Sequence, residues 1–285
     1  MGKHLGVALV TGASSGIGKE TAVRLAKKGF QVIAAARREA HLEAMAAQFP
    51  GILPRKVDLA DSTELEAFCQ EISDRGQPIT ILINNAGYSI RGGLEDVSLP
   101  AARRLFEVNL FALIRITQAC LPGMRRLRQG TIVNLSSIVG KFAFPFSGVY
   151  AASKHALEAV SDSLRIEVRP FGIRVITIRP GPIASEFNEA ATRMTGDLMA
   201  RTDPDYKPVY QASGVGLGGI FSKITIPGPE LIAEVIVKAV LSDSPKPVYT
   251  AGPLVDEIYR PRLELDDEGF DQFLSELTGL KDFKV

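Results

Sequence analysis

Apolar residues along this chain alternate between two patterns. Short runs at 6–10, 31–36, 52–57, 79–83, 131–135, 173–178 and 247–250 read as strands, and the first is interrupted by no polar residue. That is the signature of strands covered on both faces. Between them lie longer stretches with helical spacing, at 19–28, from Asp61 onward, 98–128, 149–169 and 230–241. Asp61 stands as an N-cap with Glu64 at the capping-box distance. Ser98 with Pro100 behind it opens a long helix, and Gly29 and Gly172 stop theirs. Strands that alternate with helices predict an α/β fold: a doubly wound, mostly parallel sheet with helices on both faces, in one domain.

Two regions depart from this rhythm. From Ala184 to Pro227 the periodicity is poor, with Met194, Met199, Tyr206, Tyr210, Phe221 and glycines between 214 and 219. A stretch so long without a repeat reads as a substrate loop or lid. Residues 252–285 form a C-terminal extension in which Phe270, Phe273, Leu274 and Leu277 mark an amphipathic helix.

Composition narrows the function. Of 285 residues 46% are hydrophobic, enough for a sizeable core, and the formal net charge is +1 with both signs interspersed. No basic block points to nucleic acid. Cys69 and Cys120 stand far apart, which predicts buried free thiols and neither a disulfide nor a metal site. The opening residues give no export signal, and no uninterrupted apolar run reaches the roughly eighteen residues of a membrane span. A cytoplasmic protein is the expectation.

The candidate chemistry sits at predicted strand ends. Thr11-Gly-Ala-Ser-Ser-Gly-Ile-Gly18 follows the first strand and opens a helix. Gly12 suits a tight turn, Gly16 a close approach of backbone to a pyrophosphate, and Gly18 close packing; Ser14 and Ser15 add hydroxyls. The helix N-terminus supplies free N–H groups for an anion. At the end of the second strand an acid would select NAD, but Ala36 and then Arg37 stand there. Arg37 suits a 2′-phosphate, hence NADP(H), and would otherwise be part of a solvated pair with Arg38. Asp58, before Leu59, is either an acceptor for the adenine amino group or a turn residue. Asn84-Asn85-Ala86-Gly87 would let backbone lie against a flat ligand.

Tyr150 and Lys154 share one helix face, four residues apart. A phenol has an ordinary pKa of about 10, and an ammonium beside it favours the phenolate. The pair is a candidate acid/base for a hydroxyl proton. His155 faces elsewhere and reads as structural.

Together these residues resemble the classical short-chain dehydrogenase/reductase family, with a softer likeness to its hydroxysteroid and retinol dehydrogenase-like branch. The matching motifs are the glycine loop 11–18, Asn84-Asn-Ala-Gly87, Asn109, Ser137, Tyr150-x-x-x-Lys154 and Pro180-Gly181. The resemblance implies a Rossmann-like fold and assigns roles. Ser137 steadies the substrate oxygen and Tyr150 transfers the proton. Lys154 lowers the tyrosine pKa and binds the nicotinamide ribose, and Asn109 holds a water of the relay. It places the cofactor against Gly12, Ser14, Ser15, Gly16, Ile17, Gly18, Arg37, Asp58, Leu59, Asn85, Ala86, Gly87, Tyr150, Lys154, Pro180, Gly181, Ile183 and Ser185. Ser185 stands where many members have Thr, and keeps the hydroxyl.

The expectation is an NADP(H)-dependent oxidoreductase that interconverts a secondary alcohol and a carbonyl. Phe142, Phe144 and Phe146 with the aromatic lid suggest an apolar, steroid-, retinoid- or lipid-like substrate. The resemblance further implies a homodimer or homotetramer, through helix 149–169 and the long helix around Asn109. An NADPH-binding sensor without turnover is the rival from another class; a C=C reductase or an epimerase is the rival among enzymes.

Overall fold

The computed structural model describes residues 5–186 and 202–285. Seven parallel strands form one sheet in the order β3-β2-β1-β4-β5-β6-β7. They are β1 (Val7–Thr11), β2 (Gln31–Ala36), β3 (Ile52–Lys56), β4 (Ile79–Asn84), β5 (Gly130–Leu135), β6 (Ile173–Pro180) and β7 (Val248–Ala251). The predicted doubly wound sheet is what the chain forms. β1 and β5 are buried along their whole length, which explains their mostly apolar composition. β3 lies at the edge and carries Pro54, tolerated where no neighbour needs its missing N–H.

Helices cover both faces. On one, α1 (Gly16–Lys27), α2 (Glu39–Gln48) and, late in the chain, Glu230–Leu241 pack through Leu25, Leu42, Met45, Ile232 and Ile236. On the other, α3 (Ser62–Asp74), α5 (Ala112–Leu127) and α6 (Gly148–Val168) pack through Phe68, Ile116, Met124 and Val168. Cys69 and Cys120 are buried and free in this layer. Burial pushes the Cys69 thiol up to about 11, so they behave as core side chains.

The end signals act as expected, with two refinements. Asp61 Oδ1 accepts from the Thr63 and Glu64 amides at 2.9 and 3.0 Å. Glu64 does not close the box on Asp61; it reaches back to the Asp58 amide at 2.8 Å. The long helix opens at Ser98 as α4 (Leu99–Phe106), but a π turn at Glu107–Phe111 interrupts it before α5. Such a turn adds one residue to a helix and often marks a functional position. The continuous helical run Leu99–Leu127 has the length and apolarity of a membrane span, and half of its apolar window is buried in the fold.

The stretch read as an irregular lid contains a helix, α7 (Lys207–Phe221). Gly214, Gly216, Gly218 and Gly219 lower its helix propensity, and so hide it from periodicity. Met194 and Met199 lie outside the described residues. After α8 (Glu230–Leu241) and β7 the chain makes a π turn at Val255–Tyr259, a short α9 (Arg260–Glu264) and α10 (Asp267–Leu277), the expected amphipathic helix.

Candidate active site

The carboxyl ends of β1, β4, β5 and β6 bring the singled-out residues to one edge of the sheet. Gly12 and Gly16 have φ of +66° and +54°, which L side chains rarely adopt. A Cβ on Gly12 would lie 2.9 Å from Ala86 Cα, and one on Gly18 only 2.4 Å from the Gly12 carbonyl oxygen. Both glycines therefore serve the chain's own close packing. Gly16 differs: a Cβ there would meet only Ser185 Cβ, at 3.6 Å. Ile17 packs against the core beside it. α1 starts at this open glycine with no acidic residue in its first turn and no side-chain cap from Ser15. Its first amides are thus available to an anion. Donors of this kind beside an open backbone fit a dinucleotide pyrophosphate.

Thr11 was not singled out in the sequence, yet it joins the two loops. Its Oγ1 accepts from the Asn85 and Ala86 amides at 3.1 and 3.0 Å. Asn85 Nδ2 donates to the Thr11 carbonyl at 2.9 Å, so that side chain holds structure and leaves the ligand to backbone.

At the end of β2 the two arginines divide. Arg37 is exposed and acts electrostatically on Tyr88, as do Arg104 and Asp58. Arg38, which sequence reasoning passed over, reaches the glycine loop. It donates from Nε to Ser14 Oγ at 3.2 Å, from Nη2 to Ser15 Oγ at 2.6 Å and from Nη1 to Glu186 at 2.6 Å. Adjacency to Arg37 was its only signal. Asp58 is a turn residue, accepting from the Ala60 amide at 3.0 Å, and it also pairs with Arg104 at 3.2 Å. Leu59 beside it is buried.

The proton-handling residues meet beyond β5. Asn109, in the π turn and 1% exposed, spans Tyr88: its Oδ1 accepts from the Tyr88 amide and its Nδ2 donates to the Tyr88 carbonyl, both at 3.0 Å. The same Nδ2 donates to Ser153 Oγ at 3.1 Å, and Ser153 Oγ donates to the Tyr150 carbonyl at 2.7 Å. Ser137 Oγ accepts from the Val139 amide at 3.3 Å, and its side chain favours the ionised form of Tyr150. Lys154 Nζ donates to the Leu135 carbonyl at 2.7 Å and stands 5.9 Å from the Tyr150 ring centroid. A Cβ on Gly87 would lie 3.1 Å from Asn109 Oδ1 and 3.7 Å from Lys154 Nζ, so bare backbone faces both.

Burial governs both ionisable groups. It pushes Tyr150 up to about 12, against the pull of the Ser137 hydrogen bond and the positive charge of Arg91. It draws Lys154 down to about 8, against the Glu158 carboxylate. Ser137 and Arg91 are the groups that oppose the burial at Tyr150. Arg91 carried no motif to single it out. His155 is structural as expected, with Nδ1 at 2.9 Å from the Ala151 carbonyl.

Of the residues after β6, Gly181 serves the C-terminal chain. Its amide donates to Ala251 at 2.9 Å, and a Cβ on it would come within 1.9 Å of the Pro253 carbonyl oxygen. Pro180 ends the strand, Ile183 is buried in the core, and Ser185 Oγ donates to the Ile183 carbonyl at 3.4 Å beside Gly16.

The three phenylalanines separate as well. Phe142 is buried, edge-on to Phe144 at 5.1 Å and to Phe270 at 5.7 Å. It is core beneath the C-terminal extension. Phe146 stacks on Tyr210 at 3.9 Å and meets Tyr206 edge-on. Tyr210 donates to Asp96 at 2.6 Å and accepts from the Gly93 amide. α7 is thereby docked on the loop that carries Tyr88 and Arg91.

Comparison with known proteins agrees with this geometry. The family described as short chain dehydrogenase matches residues 6–196. The chain is 35% identical over 246 residues to "Probable short-chain type dehydrogenase/reductase VdlC" of Helicobacter pylori, covering 86% of this chain and 88% of that one. It is 41% identical over 210 residues to human retinol dehydrogenase 8, covering 69% and 65%. A short-chain dehydrogenase from Sphingobium yanoikuyae, solved in complex with NADPH, superposes with a TM-score of 0.73 at 26% identity, over 98% of this chain and 97% of that one. With its Rossmann-like sheet and the family match over two thirds of its length, the chain belongs to the short-chain dehydrogenase/reductase family of oxidoreductases.

Proposed function

We propose that the protein is an NADP(H)-dependent oxidoreductase that interconverts a secondary alcohol and a ketone or aldehyde on an apolar substrate. The observation that carries this reading is the convergence on Tyr150 of Ser137, which favours the phenolate, and of Lys154, one turn further along the same helix and 5.9 Å from the Tyr150 ring centroid. When bound, the nicotinamide supplies or accepts the hydride. Tyr150 gives the proton to the nascent alkoxide in reduction and takes it in oxidation. Ser137 donates to the same oxygen, where charge develops. Asn109 and Ser153 fix the backbone that bears Tyr150.

Choice of NADP rests on two arginines and no acid at the end of β2, and on NADPH in a solved relative. An apolar substrate is supported by the wall of Phe146, Tyr206 and Tyr210, and the name retinol dehydrogenase 8 of one relative points the same way. The exposed side chains of Phe111 and Ile166, on the π turn and on α6, support self-association.

The test is NADPH oxidation against a panel of apolar ketones and aldehydes, with Tyr150→Phe alongside. Turnover should fall by about a hundredfold or more in the variant. A variant within a few-fold of the wild type would remove Tyr150 from the mechanism.

A further inference from the structure

The reaction above makes no use of a buried charge cluster beneath the catalytic face. Glu158 lies on α6 one helical turn beyond Lys154, and the two are 2% and 4% exposed. An interior carboxylate persists only with partners, and Glu158 has several. Arg179, next to last in β6, donates from Nε to its Oε1 at 2.9 Å and from Nη2 to its Oε2 at 2.6 Å. Lys141 Nζ stands 3.6 Å from Oε2. The third nitrogen of the guanidinium, Nη1, donates to Tyr259 Oη at 2.6 Å. Tyr259 belongs to the C-terminal extension and is 7% exposed. The cluster thus ties α6, β6, the segment after β5 and the extension together.

Its location matters more than its strength. Lys154 Nζ is held on the Leu135 carbonyl. Around the bare backbone of Gly140, an added Cβ would meet Ser136 Oγ at 2.7 Å and Glu158 Oε1 at 3.3 Å. Lys154 and Glu158 therefore approach neighbouring points of the chain at and just after the end of β5, from successive turns of one helix: Lys154 at Leu135 and Glu158 at Gly140. Ser136 Oγ is buried there with no hydrogen-bond partner among the described residues.

We infer that Glu158 is a positioning residue for the reaction: its carboxylate, fixed by Arg179, which Tyr259 holds in turn, keeps Lys154 a buried cation beside Tyr150. The inference rests on the proposed function, in which Tyr150 transfers the proton, and on the reading that the charge of Lys154 serves that transfer. Burial works against the lysine's charge, and Glu158 is the group that opposes it. Tyr150 and Glu158, from its own helix, act on the lysine directly, while Arg179 from β6 and Lys141 from the segment after β5 meet Glu158, and Tyr259 from the extension meets Arg179. Arg91, from the loop after β4, acts on Tyr150. A purely structural cluster would loosen the same way whichever partner is removed. An electrostatic one must respond with opposite signs to loss of the anion and loss of a cation.

The experiment is a ¹⁵N NMR titration of the Lys154 Nζ in the full chain labelled at lysine. Glu158→Gln should move its midpoint down by about one pH unit or more. Arg179→Gln should move it up, and so, by less, should Lys141→Met, whose side chain lies near the surface. Lys141→Met decides the matter should either buried variant fail to fold: an upward shift supports the inference, and an unmoved midpoint overturns it. Shifts of the same sign in Glu158→Gln and Arg179→Gln also overturn it. The titration needs no substrate, so a failed reaction assignment, read by Tyr150→Phe turnover, is distinguishable from a failure here.

Discussion

Arg38 Nη2 donates to Ser15 Oγ at 2.6 Å, which sets a guanidinium at the mouth of the glycine loop while Arg37 beside it stays exposed. Both arginines lie where an adenosine 2′-phosphate would approach from the end of β2. Charge-assisted bonds to that phosphate are worth about 1.5 kcal/mol or more. Arg37→Ala and Arg38→Ala should each weaken NADPH binding about tenfold or more and leave NADH binding nearly unchanged. Fluorescence titration of each variant with both cofactors checks this; equal losses for the two cofactors would end the phosphate assignment.

Asn109 makes three hydrogen bonds through one side chain, two of them to Tyr88 backbone. Asn109→Asp keeps the acceptor for the Tyr88 amide and loses both donors. It also buries a carboxylate against the Tyr88 carbonyl, at a cost of about 1–3 kcal/mol. The variant should lose stability and turnover together, more than Asn109→Ser does. Urea unfolding with parallel kinetics decides between them, and an aspartate variant as stable as the wild type would contradict the bonding described.

Lys154 exacts a stability penalty. Burial lowers its pKa to about 8 from the ordinary 10.5, so the unfolded chain holds the proton more tightly than the folded one. The penalty is full below about pH 8 and is relieved as pH rises through the window up to 10.5, where the unfolded state also gives up its proton. Lys154→Met should therefore gain as much as about 3 kcal/mol at pH 7, with the gain shrinking above pH 8, while activity is lost. Thermal unfolding of both proteins from pH 7 to 10 reads this directly. A gain that grows with pH has the wrong sign.

Gly181→Ala should dislodge the C-terminal extension. The new Cβ would lie 1.9 Å from the Pro253 carbonyl oxygen, too close for any rotamer to relieve, and overpacking of this kind costs about 1–3 kcal/mol. Limited proteolysis should cut after residue 252 faster in the variant than in the wild type. Unchanged cleavage would mean that the extension is held elsewhere.

Strands and most helices were legible because a sheet buried on both faces writes itself as short, mostly apolar runs, as in β1. α7 was hidden because four glycines blur its period. The π turn was hidden because one added residue leaves the apolar count of a helix intact. At the site, Tyr150, Lys154, Ser137 and Asn109 were visible as spaced motifs. Thr11, Arg38, Glu158 and Arg179 were not, since each acts through partners far away in sequence: Arg179 lies 21 residues from Glu158 and 80 from Tyr259. Spacing reports neighbours on one helix, and it is silent about contacts between strand ends.

The π turn at Glu107–Phe111 gives this enzyme a dependence on chain length as well as on residue identity. A helix with one residue too many projects Asn109 toward Tyr88 and Ser153, while Leu105 before the turn and Ile116 after it both remain fully buried. Loss of any single residue between them would let a regular helix close. Everything on one side would then rotate by about 100° against the other, and either the core contacts or the asparagine would have to turn away. Substitutions in this segment can be graded by chemistry, but a one-residue deletion is all-or-none.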